Sequence, residues 1–122
     1  MLQELPAVPQ IKGEPHRRWF FCHDLDLVVW EDAAGAVVGF QLAYDKQRRE
    51  RSIAWQRGKG FAHYAVDDGE AFALTNDTPL LVADGPFEQA RVLALFLALA
   101  EAVPASIVAF VHRKLGEYGP AA

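Results

Sequence analysis

The chain has 122 residues, a net charge of −4 and a sequence pI of about 5.5. Hydrophobic residues make up 52% of it and aromatic residues 11%, a composition typical of one globular domain with one core. A net negative charge gives no general attraction to nucleic acid or to anionic lipid, so neither a nucleic acid nor a membrane is expected as a partner.

The chain contains a single cysteine, Cys22. One cysteine excludes an internal disulfide and a zinc site built from several thiolates, and it fits a reducing compartment. The first residues contain no basic segment followed by an apolar one, so we expect no signal peptide. Together these features predict a cytoplasmic protein.

The beginning of the chain is predicted to be an extended arm. Residues 1–16 contain Pro6, Pro9 and Pro15, which interrupt regular structure. They also carry few apolar side chains that could anchor them to a core.

The remainder, residues 17–122, is predicted to form a single α+β domain, with a sheet in 17–83 and helices in 84–116. Two segments of the sheet region leave alternatives open. Residues 17–22 are either a further strand or an irregular lead into the first strand. Residues 79–83 are either a short last strand or a buried connector.

Apolar and polar residues alternate over 24–67, with three turns between the runs. The turns are centred on Ala34-Gly35, on the charged loop from Lys46 to Arg49, and on Gly58-Lys59. This spacing predicts an antiparallel β-meander of four or five strands.

The first two turns set the register of three strands. The first turn places Val29 opposite Phe40. The second places Trp55 opposite Phe40 and Ile53 opposite Leu42. All five side chains then share one apolar face of the sheet.

The third turn is predicted to be a two-residue type II′ turn at Gly58-Lys59. It places Ile53 opposite Tyr64. His63 then falls on the second, more polar face of the sheet, near Gln41.

This polar face offers a speculative ligand-binding site. Its candidate residues are those whose side chains could orient or protonate a ligand: His63, Gln41, Asp26, Asp45 and Asp67. His63 could act as a general base or as a hydrogen-bond donor to a ligand. The alternative is a structural histidine held by a hydrogen bond.

Four carboxylates are predicted to line up at the open end of the sheet: Asp24, Asp45, Glu50 and Asp67. Like charges directly opposite one another are destabilising. A divalent cation, pairing with arginines, or fraying of the sheet end into water would relieve them. The flanking arginines are Arg17, Arg18, Arg48 and Arg49. We expect arginine pairing and fraying, so no metal ion or other cofactor is predicted.

Two helices are predicted after the sheet. Asp84-Gly85-Pro86 combines a capping side chain with a proline near the first helical position, which predicts a helix over about 86–102. No polar residue occurs from Val92 to Ala100. This run is too short to cross a bilayer, which takes about 20 apolar residues. The second helix is predicted to start after Pro104 and to stop at Gly116. Its apolar face contains Ile107, Val108, Val111 and Leu115.

Both helices are predicted to pack on the apolar face of the sheet. One sheet face gives limited cover to a helix that is apolar all round. The surplus apolar surface therefore predicts a protein partner, most simply a second copy of the chain in a homodimer.

No catalytic residue is predicted. Cys22-His23-Asp24 contains a nucleophile, a base and an acid, but neighbours along a strand point to opposite faces and do not converge. The basic cluster from Lys46 to Arg51 is interpreted as a charged hairpin loop. The chain has no glycine-rich phosphate loop, no Gly-x-Ser-x-Gly and no His-x-x-x-His.

Several segments resemble those of small bacterial proteins that are themselves uncharacterised. The similar segments are 20–32, 38–45, Ala54-Trp55 and 60–63. The resemblance implies a bacterial, cytoplasmic protein and carries no activity.

Two functions follow as hypotheses. The first is a binding or assembly module without catalysis, acting through a homodimer or another protein. The alternative is a small enzyme or small-ligand-binding protein that uses the polar sheet face around His63 and Gln41.

Overall fold

In the computed structural model, the described residues form six antiparallel strands that follow one another as a meander, and two helices after them. The structure describes residues 1–47, 50–65 and 87–118. The elements are β1 (Gln3–Glu4), β2 (His16–Phe21), β3 (Asp26–Glu31), β4 (Val37–Tyr44), β5 (Arg51–Gln56), β6 (Gly60–Ala65), α1 (Gln89–Leu99) and α2 (Ala105–Glu117). This is the predicted α+β class, with six strands in place of four or five.

The two strands at the start of the meander account for the difference. Of the two interpretations of 17–22, the strand is the observed one, as β2. The predicted arm without regular structure contains a strand and a turn: β1 pairs antiparallel with the end of β2, and the Glu14 N–H donates to the Ile11 carbonyl at 3.0 Å where the chain turns back. Residues 79–83 and the predicted helix start at Asp84-Gly85-Pro86 lie outside the described residues. Neither of the described helices is long and apolar enough to cross a membrane.

The predicted register of the first two hairpins is confirmed. Val29 lies opposite Phe40, Trp55 opposite Phe40, and Ile53 opposite Leu42. An intact alternation over β3, β4 and β5 keeps their large apolar side chains on one face, which a shift by one residue would expose.

Asp32 shapes the first of these turns. Its carboxylate accepts the backbone N–H groups of Ala34 and Ala36, both at 2.9 Å. These bonds favour the ionised form and lower the pKa of Asp32 below its usual value. Gly35 completes the turn with a φ of 85°, a conformation that side chains disfavour.

The predicted register of the third hairpin is wrong by one residue. Ile53 lies opposite His63, not opposite its neighbour Tyr64. The connection between β5 and β6 has three residues instead of two, because both Gly58 and Gly60 adopt left-handed φ values of 83° and 84°. The extra residue moves every side chain of β6 to the face opposite the predicted one.

The helices differ from their predicted ranges mainly at the ends. α1 is shorter than the predicted 86–102 at both of its ends. α2 starts after Pro104 as predicted, and the Pro104 carbonyl accepts the N–H groups of Ile107 and Val108 at 3.0 Å. Gly116 lies in the last turn of α2 and does not stop it, a difference within the usual uncertainty of helix ends.

Both helices pack on the apolar face of the sheet, as predicted. Each buries residues at intervals of four, which places them on one side of the helix. The buried residues are Val92 and Phe96 of α1, Ala100 directly after it, and Ile107, Val111 and Leu115 of α2. The sheet residues of the same core include Phe20, Leu25, Leu27, Val29, Phe40, Leu42, Tyr44 and Ile53.

Candidate functional site

His63 lies in the core instead of on the polar sheet face. It is 8% exposed, and its Nε2 shares a hydrogen bond with the hydroxyl of Tyr44, which is fully buried. Its ring meets Phe87 edge to face, with 5.3 Å between centroids. The three-residue turn before β6 causes this placement. The structural histidine, the alternative to a ligand-binding one, is therefore the arrangement observed.

An aromatic cluster surrounds this histidine. Phe87 contacts Tyr44 and Tyr118 edge to face, at 6.0 and 5.5 Å between centroids. Tyr118 also packs against Phe61 at 5.0 Å. The cluster joins β4 and β6 to the beginning of α1 and the end of α2, so its role is to hold the helices on the sheet.

Gln41 lies on the opposite face of the sheet from His63. Its side-chain amide donates to the Ser52 hydroxyl at 3.4 Å, and both residues are buried. The predicted neighbourhood of His63 and Gln41 is therefore wrong, because it depended on the β5–β6 register. The two side chains cannot act on one ligand.

Asp26 shares a face with Gln41 and is neutralised by a lysine. Lys46 Nζ lies 3.0 Å from an Asp26 carboxylate oxygen and donates to the Cys22 carbonyl at 2.8 Å. Glu50 stands nearby. Burial raises the pKa of Glu50, the charge of Asp26 raises it further, and Lys46 opposes both.

Asp45 is paired with an arginine, but not with one of the four expected. Arg91 of α1 donates two hydrogen bonds to its carboxylate, both at 2.9 Å. Asp45 leaves β4 with a left-handed φ of 54°, which directs it away from the strand. The guanidinium also bonds Glu88, and the bonds to Asp45 and Glu88 raise the pKa of Arg91. The ion pair between Asp45 and Arg91 holds the beginning of α1 against the end of the sheet.

Asp24, another acid of the predicted row, has a histidine as its neighbour. Asp24 is exposed and lies 3.3 Å from Nδ1 of exposed His23. Asp67 lies outside the described residues. Within the described ranges, no three His, Cys, Asp or Glu side chains are placed to share a metal ion.

A groove lies between the two helices on the described part of the surface. It has a volume of about 450 Å³ and is open to solvent. We call it the helical groove, and its lining residues are Leu97, Ala100, Glu101, Val103, Ala105, Val108, Ala109 and His112. Leu97 is 49% exposed, the one large hydrophobic side chain that is exposed on the described part of either helix.

The apolar run in α1 explains this groove. Val92 and Phe96 bury the side that faces the sheet, and Leu97 then points outward. Ala105 and Ala109 have short side chains on the side of α2 that lines the helical groove, so the groove is shallow. Only two of the lining side chains are ionisable, Glu101 and His112. An open apolar trough is suited to a protein surface, whereas small-molecule sites enclose their ligand.

The chain was compared with known proteins at three levels. No family model, no curated protein and no solved structure matches it. Geometry and chemistry are thus the basis for any functional assignment.

One feature of this surface could be predicted from the sequence. The run from Val92 to Ala100 without a polar residue predicted surplus apolar surface, and the helical groove contains part of that run. The individual lining residues could not be chosen, because the direction in which α1 presents each side chain depends on how the two helices pack.

Proposed function

We propose that this protein is a binding and assembly module without catalysis, and that it forms a homodimer through the helical groove. The observation that supports this most directly is the exposure of Leu97 among small apolar neighbours. An exposed leucine beside a groove lined mainly by apolar side chains is a surface that a protein partner would cover.

The two ionisable side chains of the helical groove favour a second copy as the partner. Glu101 lies at the turn between the helices, and His112 lies seven residues beyond Ala105 on α2, about two helical turns away. A two-fold axis through the middle of the groove would bring Glu101 of each copy towards His112 of the other. Isologous interfaces need this self-complementarity.

A bacterial, cytoplasmic setting is part of the proposal. It is supported by the resemblance to small bacterial proteins and by the single free thiol of Cys22, which suits a reducing compartment.

Sedimentation across low to high micromolar concentrations tests the dimer. We expect the wild-type chain to dimerise and Leu97→Glu to be monomeric with a nearly unchanged melting temperature. Ile11→Glu is the matched control, because Ile11 is 46% exposed but lies outside the helical groove. It should dimerise like the wild type. A monomeric wild-type chain at high micromolar concentration would contradict the proposal.

A charge exchange tests the symmetry of the contact. Glu101→Arg should weaken the dimer, because it faces a basic or neutral partner. Adding His112→Glu should restore it, because each new arginine then faces a carboxylate of the other copy. Equal weakening by the single and double variants would show that these residues do not meet across a two-fold axis.

A further inference from the structure

The arm binds the edge of β2 much as a separate peptide strand would. Gln3 and Glu4 pair with Phe21 and Phe20. The Leu5 N–H then donates to the Trp19 carbonyl at 2.8 Å. The edge of β2 is therefore a strand-accepting site, and the arm is the strand that fills it.

Two side chains anchor the arm. Leu2 is fully buried in the core, and its N–H donates to the Leu99 carbonyl at 2.7 Å. Glu4 accepts two hydrogen bonds from Arg18, both at 2.8 Å. Arg18 also lies 3.5 Å from a carboxylate oxygen of Glu31. The site thus recognises an apolar residue followed two positions later by a carboxylate.

Residues 6–15 of the arm join residues 1–5 to β2 and bury little surface. Residues 6–15 are exposed except for half-buried Val8. They include Pro6, Pro9 and Pro15, which favour an extended path. The segment is attached at Arg17: the Gln10 side-chain amide bonds the backbone N–H and carbonyl of Arg17 at 2.8 Å each, and the Pro9 carbonyl accepts from the Arg17 guanidinium at 2.6 Å.

We propose that the arm also docks in trans, so that two copies of the chain exchange residues 1–5, each Leu2 and Glu4 occupying the β2 edge of the other. The contacts in trans are the same as those in cis, so exchange breaks no interaction that it does not restore. The site also borders the helical groove, because Leu99 is the neighbour of groove residue Ala100.

The balance between the two forms depends on concentration. A short tether holds the arm near its own site at an effective concentration of roughly millimolar. Docking in cis therefore dominates in dilute solution, and exchange increases as copies are concentrated or held together. The inference uses the edge of β2 and does not require a dimer through the helical groove.

Charge variants separate docking in trans from docking in cis. One chain carries Glu4→Arg and the other Arg18→Glu, and both carry Leu97→Glu to remove contact through the helical groove. Each arm is repelled by its own chain. In the mixture, the arm of each chain meets an opposite charge on the other chain. Native mass spectrometry should then show mixed dimers in about tenfold excess over either homodimer.

The double variant Glu4→Arg/Arg18→Glu is the control for folding. It rebuilds the ion pair within one chain, so it should be folded and monomeric in the Leu97→Glu background. The proposed exchange would be overturned if mixed dimers made up no more than the fraction expected from random pairing of the two chains, or if no dimers formed. Because the helical groove is already disabled, this result would leave the proposed function untouched.

A disulfide test keeps the natural anchors in place, in case the charge variants unfold. Gln3 and Phe21 face each other between β1 and β2. In a Cys22→Ser background, a Gln3→Cys chain is mixed with a Phe21→Cys chain and oxidised. Exchange predicts a mixed covalent dimer whose yield rises with protein concentration. An equal yield with Ile11→Cys in place of Gln3→Cys would mean random collision and would overturn it.

Discussion

The Tyr44 hydroxyl and His63 Nε2 share a hydrogen bond inside the core, although β5 lies between their strands. Both residues are buried, and their rings are nearly parallel with centroids 6.0 Å apart. A polar contact at this depth is stabilising only while both partners are present, since an unmatched buried polar group costs free energy. The hydrogen bond between Tyr44 and His63 therefore favours the observed register of β6 over others.

Tyr44→Phe should lower the free energy of unfolding by about 1 to 3 kcal/mol, because it leaves the ring packing intact but removes the hydroxyl that His63 bonds. Urea denaturation followed by tryptophan fluorescence measures the change. Tyr118→Phe is the matched control: Tyr118 packs in the same aromatic cluster, and its hydroxyl makes no hydrogen bond seen among the described residues. Equal losses for both variants would show that the Tyr44 hydroxyl has no special role.

The backbone conformations of Gly60 and Gly116 predict opposite effects for their substitution by alanine. Gly60→Ala should destabilise the protein by about 1 to 2 kcal/mol, because Gly60 has a φ of 84° that alanine disfavours. Gly116→Ala should stabilise it by up to about 1 kcal/mol, because alanine favours the helix.

The two glycines form a matched pair. A Cβ at either position meets no atom within 4 Å, so packing does not enter the comparison. Chemical denaturation of both variants gives the two free energies. A two-residue turn of the predicted kind would not need Gly60 in a left-handed conformation, so an unaffected Gly60→Ala variant would argue for that turn.

Alternation alone was sufficient to predict β3, β4 and β5. A slip at either of their hairpins would have exposed residues such as Phe40 and Ile53, so only one register kept the apolar face intact. The third hairpin lacked this constraint. One register of β6 places Phe61 and His63 on the apolar face and the other places Ala62 and Tyr64 there, so burial alone did not decide between them. In addition, Gly58 and Gly60 allow turns of two or three residues.

The candidate site could be predicted less well for the same reason. His63 and Gln41 were neighbours only in one register of β6. Pairing of Asp45 with an arginine was predictable, but its partner was not. Arg91 lies 46 residues away, and its approach depends on the packing of α1 and on the left-handed turn of Asp45. The burial of Leu2 could not be predicted either, because it depends on how the sheet and the helices pack together.

Glu50 provides a prediction about pH. It is partly buried beside Asp26, and burial followed by this like charge raises its pKa above the usual value, against the effect of Lys46. When the pH rises from acid, Glu50 ionises first in the unfolded chain, which then binds fewer protons than the folded one. The contribution of Glu50 to the free energy of unfolding therefore falls as the pH rises from the ordinary pKa of glutamate to the raised pKa of Glu50 in the folded chain.

Glu50→Gln should consequently stabilise the protein at neutral pH, because the amide carries no charge to desolvate. The gain should shrink as the pH falls below the ordinary pKa of glutamate, where Glu50 is protonated in both states. Melting temperatures of wild type and variant from pH 3 to pH 8 measure the difference. Glu14→Gln makes the same change in net charge at an exposed position of the arm, so it corrects for any general effect of charge. A stabilisation by Glu50→Gln that is no larger than that of Glu14→Gln, or that persists undiminished in acid, would mean that burial beside Asp26 does not penalise the Glu50 carboxylate.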